Sequence, residues 1–189
     1  MAVSNLRFDT TDFKRLGFLF TDLTKGQQTR VIVRALNRGG AQGFTQVKRT
    51  LSKEVGLAQR VMVDKGNIRP SRANKGKLDY EIKSSSPFIS LKEFAPRQTK
   101  KGVSHKAWGR RQVNEGAFIV KSLGGHVFNR VGRARLAIKK QFGPNIAKEM
   151  RKGESNKVFQ QKVGEVVPQR IVHETGRLID KLAAKHGLK

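Results

Sequence analysis

A chain of 189 residues suits one domain, or one domain with an arm, and 37% hydrophobic residues allow a modest core with long polar connections. Its 40 lysines and arginines face 14 acids, a formal net charge of +26, and that much like charge repels itself unless a polyanion or an acidic protein surface offsets it. With no cysteine, disulfides and thiolate metal sites are excluded, and no window approaches the roughly 20 apolar residues that cross a membrane.

Residues 1–23 read as an N-terminal arm or a short docked strand. They lack an apolar core of signal-peptide length, and Asp9 and Asp12 interrupt them. Their apolar patch, Phe13, Leu16, Phe18 and Phe20, is a candidate subunit contact. Residues 24–189 read as a single α+β domain. Thr24-Lys25-Gly26-Gln27 fits a capping box, and Ile32, Leu36, Phe44, Val47, Leu51 and Val55 then recur at helical spacing up to a terminating Gly56. Gly39 and Gly40 weaken this long helix, or admit another backbone. Leu57 to Val63 suggests a short second helix.

Residues 65–77, KGNIRPSRANKGK, carry five basic residues and no apolar period, so they predict a loop. Leu78, Tyr80 and Ile82 alternate as a strand does, and Phe88, Ile89 and Leu91 make a second strand candidate. Residues 95–114 predict another basic loop. Phe118 and Val120, then Gly124-Gly125, then Val127 and Phe128 predict a hairpin, with Leu136 and Ile138 as a short last strand. Phe142-Gly143-Pro144 ends the sheet region, a short helix follows over 145–152, and a long helix runs over 154–186. Pro168 inside it predicts a kink or a second helix start. The fold expected is an antiparallel sheet with long basic loops, packed against a long N-terminal and a long C-terminal helix.

No nucleotide-binding loop is present: Gly76-Lys77 is followed by Leu78. His105, His126, His173 and His186 are scattered at no zinc spacing. Glu81-Ile82-Lys83, with Asp79 and Asp64 upstream, has the acid-x-Lys form that many DNA-cutting folds use to hold Mg²⁺. In a lysine-rich chain the triplet arises easily, and Asp79 and Glu81 fit the solvated face of a strand. No catalytic residue, cofactor or metal is therefore expected.

The basic loops remain. Between Glu93 and Glu149 the only acid is Glu115, against thirteen lysines and arginines. Interleaved acids would mark an ordinary solvated face; their absence points to a phosphate backbone or an acidic partner. The candidate contacts are Arg69, Arg72, Lys75, Lys77, Arg97, Lys100, Lys101, Lys106, Arg110 and Arg111. Only Trp108 offers an aromatic platform among them, so any DNA contact should be nonspecific and salt-sensitive.

Phe88-Ile89-Ser90-Leu91-Lys92-Glu93-Phe94, then Pro96-Arg97-Gln98 and the basic loop with Trp108, resemble the middle of the prophage minor tail protein Z family. So do Gly116-Ala117-Phe118-Ile119 before Gly125-His126-Val127, and Leu136-Ala137-Ile138-Lys139-Lys140 before Phe142-Gly143-Pro144. Arg34-Ala35-Leu36-Asn37-Arg38 fits that family's opening, so the likeness spans about residues 30 to 185, with Pro168 as a departure. The resemblance implies a structural, non-enzymatic tail-completion protein at the head-proximal end of a phage tail. It implies a homo-oligomeric ring, a hexamer favoured, around the DNA channel, assembled in host cytoplasm beside other tail and neck proteins. The competing expectation is a free, sequence-nonspecific nucleic-acid-binding protein of ribosomal or nucleoid type.

Overall fold

The computed structural model describes residues 23–85, 88–132 and 137–185, together with the backbone of Ser4–Phe8. The arm candidates Phe13, Leu16, Phe18 and Phe20 lie outside the described residues. The fold is α+β, in the order β1 (Ser4–Phe8), α1 (Lys25–Val55), α2 (Gln59–Gly66), β2 (Ile68–Ser71), β3 (Tyr80–Ser84), β4 (Phe88–Ser90), β5 (Arg97–Thr99), β6 (Gly102–His105), β7 (Gln112–Glu115), β8 (Phe118–Val120), β9 (His126–Arg130), β10 (Ile138–Lys140), β11 (Phe142–Asn145), α3 (Ile146–Lys152) and α4 (Glu154–Lys185). In place of one sheet, the strands form four small ones, ordered β1-β3-β2, β10-β9-β8, β11-β4 and β5-β6-β7. The chain divides into two compact units. One is built mainly from Lys48–Arg69 and Lys83–Ser155; the other from α1 as far as Val47, Pro70–Ile82 and α4 from Asn156.

The second unit is a helix pair with a strand. The α1 seam runs Val31, Ala35, Leu36, Gly39, Gly40, Gly43 and Val47, all buried, one face of a 3.6-residue period. Ile32 and Phe44 lie at its margin, half-buried. The small residues set the approach of the partner elements. A Cβ on Gly39 would fall inside 3.0 Å of Val167, and one on Gly43 inside 3.0 Å of Val163 and Phe159. Position 39 meets 167 and position 43 meets 163, so the two helices run antiparallel. Gly40 faces the ring of Tyr80 from β3, which stacks on Phe159 with centroids 6.5 Å apart. These glycines thus admit side chains where the sequence suggested a backbone. Pro168 lies inside one continuous 32-residue helix and starts no second one.

In the first unit, α1 ends as expected at Gly56, whose φ of +79° any other side chain would strain. The Glu54 carboxylate then caps the start of α4: the Glu154 amide donates to Oε1 (2.9 Å) and the Ser155 hydroxyl to Oε2 (3.2 Å). The hairpin expected around Gly124-Gly125 forms, with Phe118 opposite Phe128 and Val120 opposite His126; β10 extends it. Three expectations are corrected. Residues 95–114, read as a loop, hold the three-stranded antiparallel sheet β5-β6-β7. Its outer strands are almost wholly exposed and polar, so no apolar alternation betrays them, and only β6 is buried. Phe142–Asn145 does not end the sheet region but pairs with β4. The 65–77 stretch contains β2, which pairs with β3.

Candidate nucleic-acid interface

All ten predicted contact residues are exposed. Arg69 and the six from Arg97 to Arg111 belong to the first unit; Arg72, Lys75 and Lys77 belong to the second.

In the first unit the β5-β6-β7 sheet displays the cations. Thr99 pairs with Gly102, so Lys100 and Lys101 form a two-residue turn and stand at its tip. Arg97 is exposed on the outer strand β5. Arg111 is partly engaged: its Nη1 donates to the Ser104 hydroxyl at 2.8 Å. Lys106 and Arg110 flank a single 3₁₀ turn, Ala107–Gly109, pressed against the end of α1. A Cβ on Gly56 would meet the Lys106 carbonyl and the Gly109 amide inside 3.0 Å. Trp108 takes a left-handed φ of 57° in this turn and donates from Nε1 to Glu149 at 3.2 Å. It is tied to α3 and 43% exposed.

His105 in β6 is buried, and its Nδ1 accepts from the Ala107 amide at 3.3 Å. Burial first, and then the Arg111 guanidinium, push its pKa below 6.5. His126 is also held below 6.5, by desolvation and then by Lys140 and Lys92. The Lys140 ammonium lies 3.3 Å from its Nε2, which must accept there, so Nδ1 carries the proton toward Ser90 Oγ at 3.0 Å.

In the second unit Lys77 is not a displayed cation. Its ammonium reaches Glu81 Oε2 at 3.0 Å and Asp79 Oδ1 at 3.5 Å. The hydrogen bond to Glu81 chiefly raises its pKa above 10.5. Asp79 and Glu81 are 4% and 7% exposed, so the expected solvated face is instead a buried pair of carboxylates with a lysine over them. Asp64 belongs to the first unit, where it is exposed on α2. Among the described residues no group of three or more His, Asp or Glu is placed to hold a metal ion.

A second basic feature lies where no contact was predicted, apart from Arg72. Along the antiparallel seam of α1 and α4 runs a groove of about 520 Å³ lined by Arg34, Arg38, Arg72, Arg170 and Arg177, with Glu174 the one acid among its described lining residues. Arg34 meets Glu174 at 3.4 Å. Arg72 is brought in by Asn37, whose amide grips the next residue from both sides. Nδ2 donates to the Ala73 carbonyl and Oδ1 accepts from the Ala73 amide, each at 2.9 Å. The sequence carried a signal for this site: Arg30, Arg34 and Arg38 are spaced four apart on α1, and Arg170, His173, Arg177 and Lys181 share one face of α4.

No protein-family model, no curated protein and no solved structure matches this chain.

Proposed function

We propose that this chain is a structural, non-enzymatic protein of a tailed-phage particle. It serves as a minor tail or tail-completion subunit at the head-proximal end, in a homo-oligomeric ring whose basic surfaces face the DNA channel or acidic neighbours. The observation that carries this reading is where the family-like motifs fall. Phe88–Ser90 pairs with Phe142–Asn145, and the 118–120, 126–130 and 138–140 segments form one sheet. Backbone bonds stitch the two sheets together: Leu91 donates to the Gln141 carbonyl (3.2 Å) and Gln141 to that of Val127 (2.8 Å). Motifs far apart in sequence thus meet in one framework, and that shared placement is what supports the reading. The cations left exposed in both units supply the reason for enclosure, because nothing in the chain's own 14 acids matches them.

The test is peptide mass spectrometry on particles purified after prophage induction, with cryo-electron microscopy to place a tag on this chain. The reading requires the chain in the particle, near the neck. Its absence there, together with tight duplex binding by a purified monomer, would establish the free nucleic-acid-binding protein instead.

A further inference from the structure

We infer that the α1–α4 groove is a binding site for the phosphodiester backbone of nucleic acid, read without regard to base sequence. The chain has 22 lysines and 18 arginines, yet the described lining of the groove holds five arginines and no lysine. That choice has a physical meaning. A crowded lysine relieves repulsion by losing its proton; a guanidinium does not, so five of them sharing about 520 Å³ remain charged and repel one another. Of the five arginines, Glu174 meets Arg34, at 3.4 Å, and its other oxygen lies 3.9 Å from the His173 imidazole. The remaining forks present paired donors at the geometry that phosphate oxygens accept.

The site is also built before any ligand arrives. Four of the arginines stand on two helices locked by glycine contacts, and the fifth sits on a loop that the Asn37 amide clamps at two points. Such preorganisation lowers the ordering cost of binding. Arg34 and Arg38 stand one helical turn apart, roughly 6 Å, and Arg170 and Arg177 about 10 Å apart, so the donors form two rows along the groove and not a single point. Two rows suit an extended polyanion better than one small anion. No Phe, Tyr or Trp lines the groove among the described residues, so it offers no base-stacking platform. Acidic peptide is the competing polyanion. Its carboxylates also accept paired guanidinium bonds, so what favours nucleic acid is the regular run of phosphates that two fixed rows of forks match, and polyglutamate is the probe that separates the two.

The experiment uses the full chain and a short fluorescein-labelled DNA duplex of mixed sequence, titrated between about 50 and 200 mM salt. Arg34→Gln, Arg38→Gln, Arg170→Gln and Arg177→Gln are combined in one variant. A charge-matched control combines Arg49→Gln, Arg60→Gln, Lys92→Gln and Lys121→Gln, all exposed residues of the first unit. The groove variant is expected to lower the slope of log K against log salt by about 3 to 4, near 0.9 per lost phosphate contact. The control is expected to lower it by less than about 1. Equal losses in the two variants overturn the proposal, because net charge alone then explains binding. Polyglutamate binding that matches the duplex, and is lost in the same variant, overturns the phosphate assignment in favour of an acidic protein. If circular dichroism shows the fourfold variant unfolded, the double variant Arg38→Gln with Arg177→Gln decides by the same slope, with an expected fall of about 2. Incorporation into particles is not read in this assay, so its outcome is separate from that of the virion reading.

Discussion

Replacing Gly40 by Ala sets two effects of opposite sign against each other. In an unobstructed helix interior the change stabilises by about 1 kcal/mol, because Gly loses more backbone entropy on folding. At position 40 the new methyl falls well inside 3.0 Å of three atoms of the Tyr80 ring. The normal carbon–carbon separation is roughly 3.5–4.0 Å, so the overlap approaches an ångström or more. The ring cannot swing aside: Tyr80 is 2% exposed and has Phe159 stacked against it. Overpacking of this kind costs typically 1–3 kcal/mol, and a rigid, enclosed ring places this case at the upper end. The net expectation is a loss of about 2 kcal/mol, or a fall in Tm of roughly 4–8 °C for a chain of this size. Gly176→Ala is the internal reference, since nothing lies within 4 Å of its Cβ position on α4. It should raise Tm by about 2–4 °C. Differential scanning calorimetry on both variants decides. A Gly40→Ala protein that melts at or above the parent refutes the close packing of α1 on β3.

Three further outcomes follow from the site geometry. His105 has a folded pKa below 6.5, so under more acidic conditions the unfolded chain takes the proton first and stability falls with pH; urea midpoints between pH 7.5 and 5 should drop less steeply in His105→Gln than in the parent. Lys77 has a raised pKa, so its contribution is complete below the ordinary lysine value and disappears as pH rises through the raised one. Lys77→Met should therefore unfold at lower urea than the parent, with a gap that narrows only above 10.5; a gap that closes by pH 8 would contradict the pairing with Asp79 and Glu81. Arg110→Gln should leave the unfolding free energy within about 0.5 kcal/mol of the parent, whereas Arg111→Gln should lose about 1–2 kcal/mol with its bond to the buried Ser104; equal stability of the two variants in urea would show that this bond contributes nothing.

The helices were legible because their signals are local. The Thr24 amide does donate to Gln27 Oε1 at 2.9 Å, and Gly56 does take the left-handed turn. The short helix expected over 145–152 forms as Ile146–Lys152, with Asn145 as an unanticipated cap that accepts from the Lys148 amide at 3.0 Å. The strand signals failed where strands bury nothing. In β5, Arg97, Gln98 and Thr99 all face solvent, and β7 leaves Val113 48% exposed, so only the backbone ladder to β6 makes them strands. The Asp79 and Glu81 alternation gave the right period and the wrong environment. Lys77 lies only two and four residues away, yet alternation alone cannot say that both carboxylates turn inward and that its exposed ammonium sits over them. The arginine groove was half-written. Four-residue spacing on α1 and a basic face on α4 are visible in the sequence, but their meeting depends on the antiparallel register that Gly39 and Gly43 permit.

A net charge of +26 suggests one undifferentiated basic surface, and the fold contradicts that picture. Lys77 is committed to two carboxylates, Arg111 is bonded to Ser104, and Lys140 and Lys148 lie over the rings of Phe142 and Phe88 at 5.6 and 5.4 Å. Lys100 and Lys101 stand at a hairpin tip, where long flexible chains can follow a moving polyanion at little geometric cost. The groove arginines are held by two helices and a clamped loop, which suits a ligand that stays. If charge alone governed binding, these groups would respond alike to neutralisation and to salt. A fold that sorts its cations into internal counter-ions, an exposed hairpin tip and a fixed groove requires unequal responses. Under the function proposed above, the hairpin-tip lysines would be the contacts along which a polymer slides and the groove arginines those that retain it.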